Sequence, residues 1–340
     1  MLNAYAVSWH DEWSPQLDEC LAALPERECM PHALYRQLLK RPGDGRRRIA
    51  LVRHRGVPVM LAGLRRRSRY VWEPIANWHA PGPAFPVAPG HIGPALRSIS
   101  LEIPIAWWRT GMEPPAGWGV RSVETSPTYR LRLDGDPEKF WRETGYLRTI
   151  RNMRNRCKGF TVAINHPGAA AWTIRQWSQK WSGDGDGAGR TELDERIEIA
   201  EDLEKRGKHI SISVFDNGQL VGGSSNFVHE GDLVAGVIYH EPQYRANGLG
   251  VRIINLAFEV GAKRALKAFD LGGKADYKKK WAPEDGTRSR VVVAPLRVQY
   301  MRKVASTVRA LAGRSCTWML LSAIHIADYG AIGRFAGTAL

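Results

Sequence analysis

Hydrophobic and polar residues follow two different periods along the chain, and these periods separate predicted strands from predicted helices. Three β-type runs between residues 209 and 240, HISISVF, QLVGGSSNFVHEG and DLVAGVIYH, are joined by the turns DNG and EGD. This order predicts an antiparallel meander. The next run, VRIINLAFEVGAKRAL, is apolar at helical spacing and predicts an amphipathic helix. The pattern therefore indicates an α/β fold.

The remaining runs predict two lobes. In the first 125 residues they predict helix over 16–40, a hairpin over 48–72, a proline- and glycine-rich loop over 81–94, and a helix and strand over 91–108. Residues 126–295 read as a mixed order of helices and strands, ending with the strands KAFDLGG and RVVVA around a short helix, ADYKKKW. A helical extension is predicted for residues 296–340.

The stretch YHEPQYRANGLG links the last meander strand to the amphipathic helix. A strand, followed by a loop with unpaired N–H groups and a helix N-terminus, favours the binding of an anion. Gly248 and Gly250 would let the backbone approach a ligand, and Arg245 adds a cation suited to phosphate. The spacing matches neither GxxxxGK[ST] nor GxGxxG, which disfavours a nucleotide triphosphatase and a dinucleotide fold.

This stretch resembles the cofactor motif of the GNAT acyltransferase superfamily, in which R/Q-x-x-G-x-G/A lies between a strand and a helix. Arg245, Gly248 and Gly250 match that motif. The runs FDLGGKADYKKKW and YLRTIRNMRNRCKGF resemble a two-lobed branch, the Fem-like and cellulose-operon-associated acetyltransferases. The resemblance covers residues 128–295. It implies a GNAT fold, a mixed and mostly antiparallel sheet flanked by helices, preceded by a degenerate GNAT-like lobe over residues 1–125.

The resemblance also implies a site for an acyl-CoA, in the first place acetyl-CoA, between the strand Leu233–Tyr239 and the strand after the helix. The main-chain N–H groups near Ile238 to His240 would stabilise the oxyanion. The cofactor-binding residues it implies are Ile238, Tyr239, Arg245, Ala246, Asn247, Gly248, Leu249, Gly250 and Lys278.

Tyr277 follows the fifth strand at the offset where the family often places a tyrosine near the cofactor sulfur. It is the candidate acid, and the alternatives are packing or phosphate binding together with Lys278. Candidate bases are His240, Glu241 and Asp270, and water could relay the proton instead. The residues do not rank these possibilities.

Two groups of residues are candidates for acceptor binding. Arg148 and Arg151 belong to a basic helix whose arginines either line an acceptor groove or form its solvated face. Trp177 and Trp181 either stack on a ring-bearing substrate or pack in the core.

The formal net charge of +15 over 340 residues fits an anionic partner or a solvated arginine-rich surface. The scattered Cys20, Cys29, Cys157 and Cys316 predict neither a metal site nor a disulfide framework, and they fit a reducing cytoplasm. No signal peptide or spanning segment is predicted.

The resulting prediction is an N-acyltransferase that moves an acyl group from acyl-CoA to the amine of a small molecule or amino sugar. A Fem-like transferase that uses aminoacyl-tRNA is the alternative. The charge and the arginine-rich helix favour it, and the intact R-x-x-G-x-G motif disfavours it, because aminoacyl-tRNA has no pyrophosphate to bind there. A non-catalytic RNA- or protein-binding relative is a second alternative. The acceptor, the acyl chain length and the oligomeric state stay open.

Overall fold

The structure is a computed structural model that describes residues 4–41, 47–68, 71–76, 85–99, 101–103, 106–110, 120–181, 190–273 and 276–293. Within these residues the strands form one twelve-stranded sheet in the order β1-β2-β3-β4-β5-β12-β6-β11-β10-β9-β8-β7. The strands are β1 Tyr5–His10, β2 Arg47–His54, β3 Val57–Ser68, β4 Val71–Pro74, β5 Ala106–Thr110, β6 Val120–Arg132, β7 Thr161–Ile164, β8 His209–Asp216, β9 Gln219–His229, β10 Asp232–His240, β11 Ala268–Gly273 and β12 Glu284–Val293.

The helices are α1 Pro15–Ala22, α2 His32–Lys40, α3 Ile92–Ile99, α4 Pro137–Glu143, α5 Leu147–Arg156, α6 Ala169–Trp181, α7 Arg190–Lys205 and α8 Leu249–Lys263. Short 3₁₀ turns cover Pro242–Tyr244 and Asp276–Lys280. Among the described strands only the pairs β4–β5 and β10–β11 are parallel, so the predicted mixed, mostly antiparallel α/β sheet is confirmed.

The sequence predictions differ from the structure at several elements. The helical region predicted over 16–40 is two helices, α1 and α2, and the predicted return strand after residue 57 is divided into β3 and β4. The edge strand β1 was not predicted. The lobe boundary predicted after residue 125 lies inside β6, which pairs with β11 and with β12. The predicted extension over 296–340 lies outside the described residues.

Two helical layers cover the sheet from β8 to β11, and we call its two sides the α8 face and the α6 face. Helices α4, α5 and α8 pack on the first, around the buried rings of Trp141, Phe258, Phe269 and Trp281. Helices α6 and α7 pack on the second, against Val237. Successive strand residues point to opposite sides, so Ile238 belongs to the α8 face and its neighbours Val237 and Tyr239 to the α6 face.

The α6 face buries polar side chains. His209 is fully buried, and its Nε2 lies 2.7 Å from Ser225 Oγ. Its Nδ1 lies 3.3 Å from the Glu204 carboxylate, which also accepts a 3.2 Å hydrogen bond from the Ser211 hydroxyl.

Nearer the first lobe, Glu195 at the buried side of α7 accepts hydrogen bonds from Arg47 at 2.7 Å and Arg65 at 3.2 Å. The Glu195 side chain is fully buried. Because Arg47 and Arg65 belong to β2 and β3, these ion pairs tie α7 to the first lobe.

In the described part of the chain, no helix is both long and apolar enough to cross a membrane. The same residues contain no cluster of three metal-ligating side chains. Cys20, Cys29 and Cys157 are free thiols, and Cys316 lies outside the described residues. The expectation of a cytoplasmic protein stays a prediction.

Candidate functional site

Strands β10 and β11 diverge, leaving an open wedge between them. They pair only at their starts, where Leu233 faces Phe269 and Val234 faces Asp270. The register of β10 against β9 then shifts between Ala235 and Val237, which marks a β-bulge at Gly236. A Cβ on Gly236 would lie 2.5 Å from the Ser225 carbonyl oxygen, so this bulge requires glycine.

The main chain of β10 offers hydrogen-bonding groups to this wedge. The Glu241 amide donates to the Val221 carbonyl at 2.9 Å, toward β9. Along a strand, the N–H and C=O groups of successive residues point alternately to one edge and to the other. Those of Tyr239 therefore face β9, as those of Glu241 do, and those of Ile238 and His240 face the wedge. The Tyr239 side chain lies on the α6 face, with its ring centroid 5.6 Å from that of Trp172. Ile238 and His240 are therefore the available main-chain donors.

The start of α8 carries a set of unpaired backbone donors. Gly248 has φ +73° and caps the helix, and its amide donates to the Arg245 carbonyl at 3.0 Å. Five neighbouring amides donate no hydrogen bond within the described residues: Ala246, Asn247, Leu249, Gly250 and Val251. We call this loop, residues 246–251, the amide loop. It lies at the positive end of the α8 dipole, which makes it suited to an anion.

The two glycines of the motif are explained by packing inside the protein. The space of a Cβ on Gly248 is occupied by the Met153 side chain of α5, and the left-handed backbone there also favours glycine. A Cβ on Gly250 would lie 3.1 Å from Cδ2 and 3.2 Å from Nε2 of His240. The prediction that both glycines let the backbone approach a ligand stays a prediction, and the structure adds that a Cβ at either position would meet Met153 or His240.

Helix α5 makes further contacts with the amide loop that the sequence did not predict. The Arg156 guanidinium donates to the Ala246 carbonyl at 3.2 Å, and the Cys157 thiol donates to the Asn247 carbonyl at 3.5 Å. With Met153, these residues recur at helical spacing of three and four. The three side chains therefore lie on one side of the helix, and this side packs on the amide loop.

The three candidate bases have different surroundings. His240 Nδ1 lies 3.0 Å from the Glu241 carbonyl, which can only accept, so Nδ1 carries the proton and the lone pair of the neutral ring is on Nε2. That nitrogen faces the first turn of α8. Glu241 is partly exposed before the 3₁₀ turn. The Asp270 carboxylate accepts from the Gly272 amide at 2.6 Å and closes the turn that ends β11.

Tyr277 and Lys278 follow β11 in the 3₁₀ turn Asp276–Lys280. Tyr277 is 49% exposed, and its hydroxyl has no hydrogen-bond partner in the described part of the chain. Desolvation of the ring raises the pKa of Tyr277, so the phenol is protonated at neutral pH. Lys278 Nζ donates to the Gly273 carbonyl at 2.5 Å and thereby holds the turn.

The four residues predicted to bind the acceptor do not form one group. Arg148 and Arg151 belong to α5 on the α8 face, and Arg151 donates to Glu138 at 2.8 Å. Trp177 belongs to α6 on the opposite face, where the Arg196 guanidinium lies 4.8 Å from its ring centroid. The side chain of Trp181 lies outside the described residues. Arg151 and Trp177 therefore lie on opposite faces of the sheet, and the acceptor-binding role of each stays a prediction.

Residues 145–279 match the profile of a family described as Acetyltransferase (GNAT) domain. Residues 145–279 therefore carry a GNAT acetyltransferase domain. The predicted family is thereby confirmed, and the match covers the amide loop, the wedge and Tyr277. A GNAT domain implies an acyl-CoA co-substrate as a class. No curated protein matches the sequence.

Solved structures share the fold over both lobes. L-PGS from Bacillus licheniformis is similar at a TM-score of 0.51 and 12% identity, over 86% of this chain and 95% of that one. The C-terminal domain of a putative lysylphosphatidylglycerol synthetase from Agrobacterium fabrum is similar at 0.50 and 10%, over 86% and 96%. A region described as a GCN5-related glucosamine N-acetyltransferase in a fungal multi-domain β-N-acetylglucosaminidase is similar at a TM-score of 0.47 and 12% identity. That match covers 85% of this chain and 38% of the fungal protein.

Proposed function

We propose that the protein transfers an acyl group, in the first place acetyl, from an acyl-CoA to the amine of a small molecule or amino sugar by direct attack. The observation that carries this proposal is the amide loop, whose five unpaired N–H groups lie beside the open end of the β10–β11 wedge. An anionic diphosphate satisfies such donors, and exposed Arg245 adds a cation next to them.

The wedge between β10 and β11 can hold the rest of the acyl-CoA donor. The main-chain groups of Ile238 and His240 face it, so an extended amide-containing chain can pair along β10 as an added strand would. Where the acyl carbonyl reaches a β10 amide, that N–H stabilises the developing oxyanion. The amine nitrogen then bonds to the carbonyl carbon, and the carbon–sulfur bond breaks.

Two protons move in this reaction. The leaving thiolate takes a proton from the Tyr277 hydroxyl, whose raised pKa keeps it in the acid form. The attacking amine loses a proton to water, with His240 Nε2 and Glu241 as candidate acceptors. Asp270 is a weaker candidate, because its carboxylate already accepts from Gly272.

The donor site is tested by ligand-induced stabilisation. CoA and acetyl-CoA should raise the melting temperature of the wild type, since a ligand present at 100 times its Kd adds about 2.7 kcal/mol. Ala246→Glu introduces a carboxylate into the amide loop and should weaken binding roughly tenfold or more. The matched control Ala262→Glu introduces the same charge at the other end of α8, at an exposed position, and should bind like the wild type.

The same experiment separates the rival functions. Stabilisation by tRNA alone, declining steeply with salt, would favour the Fem-like aminoacyl-tRNA reaction and overturn the proposal. That rival is favoured by the net charge of +15 and by the arginines of α5, and disfavoured by the intact R-x-x-G-x-G motif. Binding of none of these ligands would favour a non-catalytic relative.

The role of Tyr277 is tested separately. Tyr277→Phe should lower kcat roughly 100-fold, in the range of a lost general acid, and leave the Kd for CoA unchanged. Folding should be unaffected, because the hydroxyl makes no hydrogen bond within the described residues. Acyl-CoA turnover followed by thiol release measures kcat, and an unchanged rate would remove Tyr277 from the chemistry.

A further inference from the structure

The buried His209 has a defined hydrogen-bonding role. Its Nδ1 faces the Glu204 carboxylate at 3.3 Å, and a carboxylate only accepts, so the proton of the neutral ring is on Nδ1. Its Nε2 therefore accepts the hydrogen bond from the Ser225 hydroxyl at 2.7 Å. Glu204, His209 and Ser225 form a directed chain from α7 into the middle of β9. We call it the buried relay.

The buried relay ends directly beneath the bulge in β10. Ser225 is the β9 partner of Val237, the first residue after the shift in register. A Cβ on Gly236 would lie 2.5 Å from the Ser225 carbonyl and 3.2 Å from the Phe227 ring. His209 contacts both residues, since its ring also lies edge-on to Phe227 with centroids 5.5 Å apart. Ser225 and Phe227, the two residues that leave no room for a side chain at Gly236, thus both contact His209.

The bulge determines which β10 groups face the wedge. One inserted residue exchanges the two edges to which successive main-chain groups point. After Gly236 the amide of Ile238 faces the wedge, and without the bulge this alternation would be reversed. A shift of Ser225 is therefore expected to change the direction of the Ile238 N–H. The amide loop begins only after the 3₁₀ turn Pro242–Tyr244 that follows β10, so it is expected to stay in place.

We propose that Glu204, His209 and Ser225 are positioning residues that hold the Gly236 bulge and thereby aim the Ile238 N–H at the acyl carbonyl of the donor. This inference rests on the proposed function. Ser225 is 1% exposed and does not contact the donor, so it acts through the main chain. Removal of the relay should reduce polarisation of the carbonyl and leave diphosphate binding intact.

The experiment follows the carbonyl directly and needs no acceptor. Acetyl-CoA labelled with ¹³C at the carbonyl is bound to the full chain, and its stretching frequency is measured by difference infrared spectroscopy. A hydrogen bond to the oxygen lowers this frequency. In parallel, the Kd for CoA is measured by calorimetry. The wild type should show a lowered band, and Ser225→Ala and His209→Leu should lose most of that shift with a Kd within about twofold of the wild type.

Two controls separate positioning from packing. Ser213→Ala removes a hydroxyl from the same face that is buried and has no hydrogen-bond partner, so it should keep the full shift. His209→Gln retains an amide acceptor for the Ser225 hydroxyl and should restore most of the shift lost in His209→Leu. If His209→Leu does not fold, Ser225→Ala and His209→Gln still decide the question.

Each outcome has a defined meaning. A wild-type protein that does not bind CoA contradicts the proposed function itself. Normal CoA binding with the same band position in the wild type, Ser225→Ala and Ser213→Ala overturns the buried relay alone. An equal loss in Ser213→Ala and Ser225→Ala would show that the effect is general loosening of this face, and would also overturn it.

Discussion

The two faces of the sheet from β8 to β11 are stabilised in different ways. On the α8 face, the rings of Trp141, Phe258, Phe269 and Trp281 pack edge-on or stacked, with centroids 4.8–5.8 Å apart. The α6 face also has apolar contacts between its helices and Val237, but in addition it buries hydrogen bonds and ion pairs of His209, Ser225 and Glu195. Apolar packing depends on volume and is nearly non-directional, whereas hydrogen bonds fix orientation.

This difference corresponds to two tasks in the site. The α8 face holds the helix whose first turn carries the amide loop, which requires only that the helix stay in place. The α6 face lies under the bulge, where our proposal requires one N–H group to point in a defined direction. Substitutions on the first face should therefore affect stability, and substitutions on the second should affect geometry as well.

The largest expected loss of stability is for Trp281→Ala on the α8 face. Trp281 is 1% exposed and contacts Trp141, Tyr146 and Phe258, so the substitution leaves a cavity that neighbouring rings cannot fill. The free energy of unfolding should fall by about 3–5 kcal/mol, measured by denaturant titration. Trp281→Phe should retain most of the wild-type free energy of unfolding. A small loss in both would show that this cluster is not the core of the face.

A smaller but still large loss is expected for Glu195→Leu on the α6 side. The substitution leaves the guanidinium groups of Arg47 and Arg65 buried without this carboxylate, at a cost of about 3 kcal/mol. As a control, Asp134→Leu breaks the exposed pair with Arg132 and should leave the denaturation midpoint unchanged. Equal effects in both variants would contradict the distinction between buried and exposed pairs.

The smallest effect is expected for Ser213→Ala, and its sign is opposite. The Ser213 hydroxyl is buried without a hydrogen-bond partner, so its removal should leave stability unchanged or raise it by up to about 1 kcal/mol. The melting temperature and denaturant midpoint measure this. Destabilisation comparable to that of Glu195→Leu would contradict this, because it would mean that the Ser213 hydroxyl makes a hydrogen bond through water.

Local patterns predicted much of the second lobe. The α8 helix, the β8–β10 meander and the loop at Arg245–Gly250 were predicted because apolar spacing, turn residues and the glycine motif are all encoded within short stretches. The family followed from the same stretch. The identity of the elements that contact the loop was not predictable in this way, because Met153 and Gly248 are distant in sequence.

Other features could not be predicted from the sequence, for physical reasons. The run LVAGVIY is typical of an uninterrupted strand, because a bulge leaves the residues on both sides of it β-like. The reason that Gly236 must be glycine is its closeness to the Ser225 carbonyl, which only the folded structure shows. His209 begins a strand with no motif around it, and its partner Ser225 becomes a neighbour only when β8 pairs with β9. The separation of Trp177 from Arg151 depends on which face each helix covers, and periodicity alone does not specify that.

The pairing of β5 in the first lobe with β12 near the end of the second has a consequence for synthesis on the ribosome. β5 makes one registered pair with β4, through Trp72 and Ala106, and its other edge pairs with β12 from Ala106↔Val293 to Thr110↔Ser289. A growing chain therefore exposes one edge of β5 until β12 has been synthesised and released from the exit tunnel. Exposed strand edges are sites of aggregation, so a nascent chain that ends before Glu284 leaves this edge of β5 open to pairing with other chains.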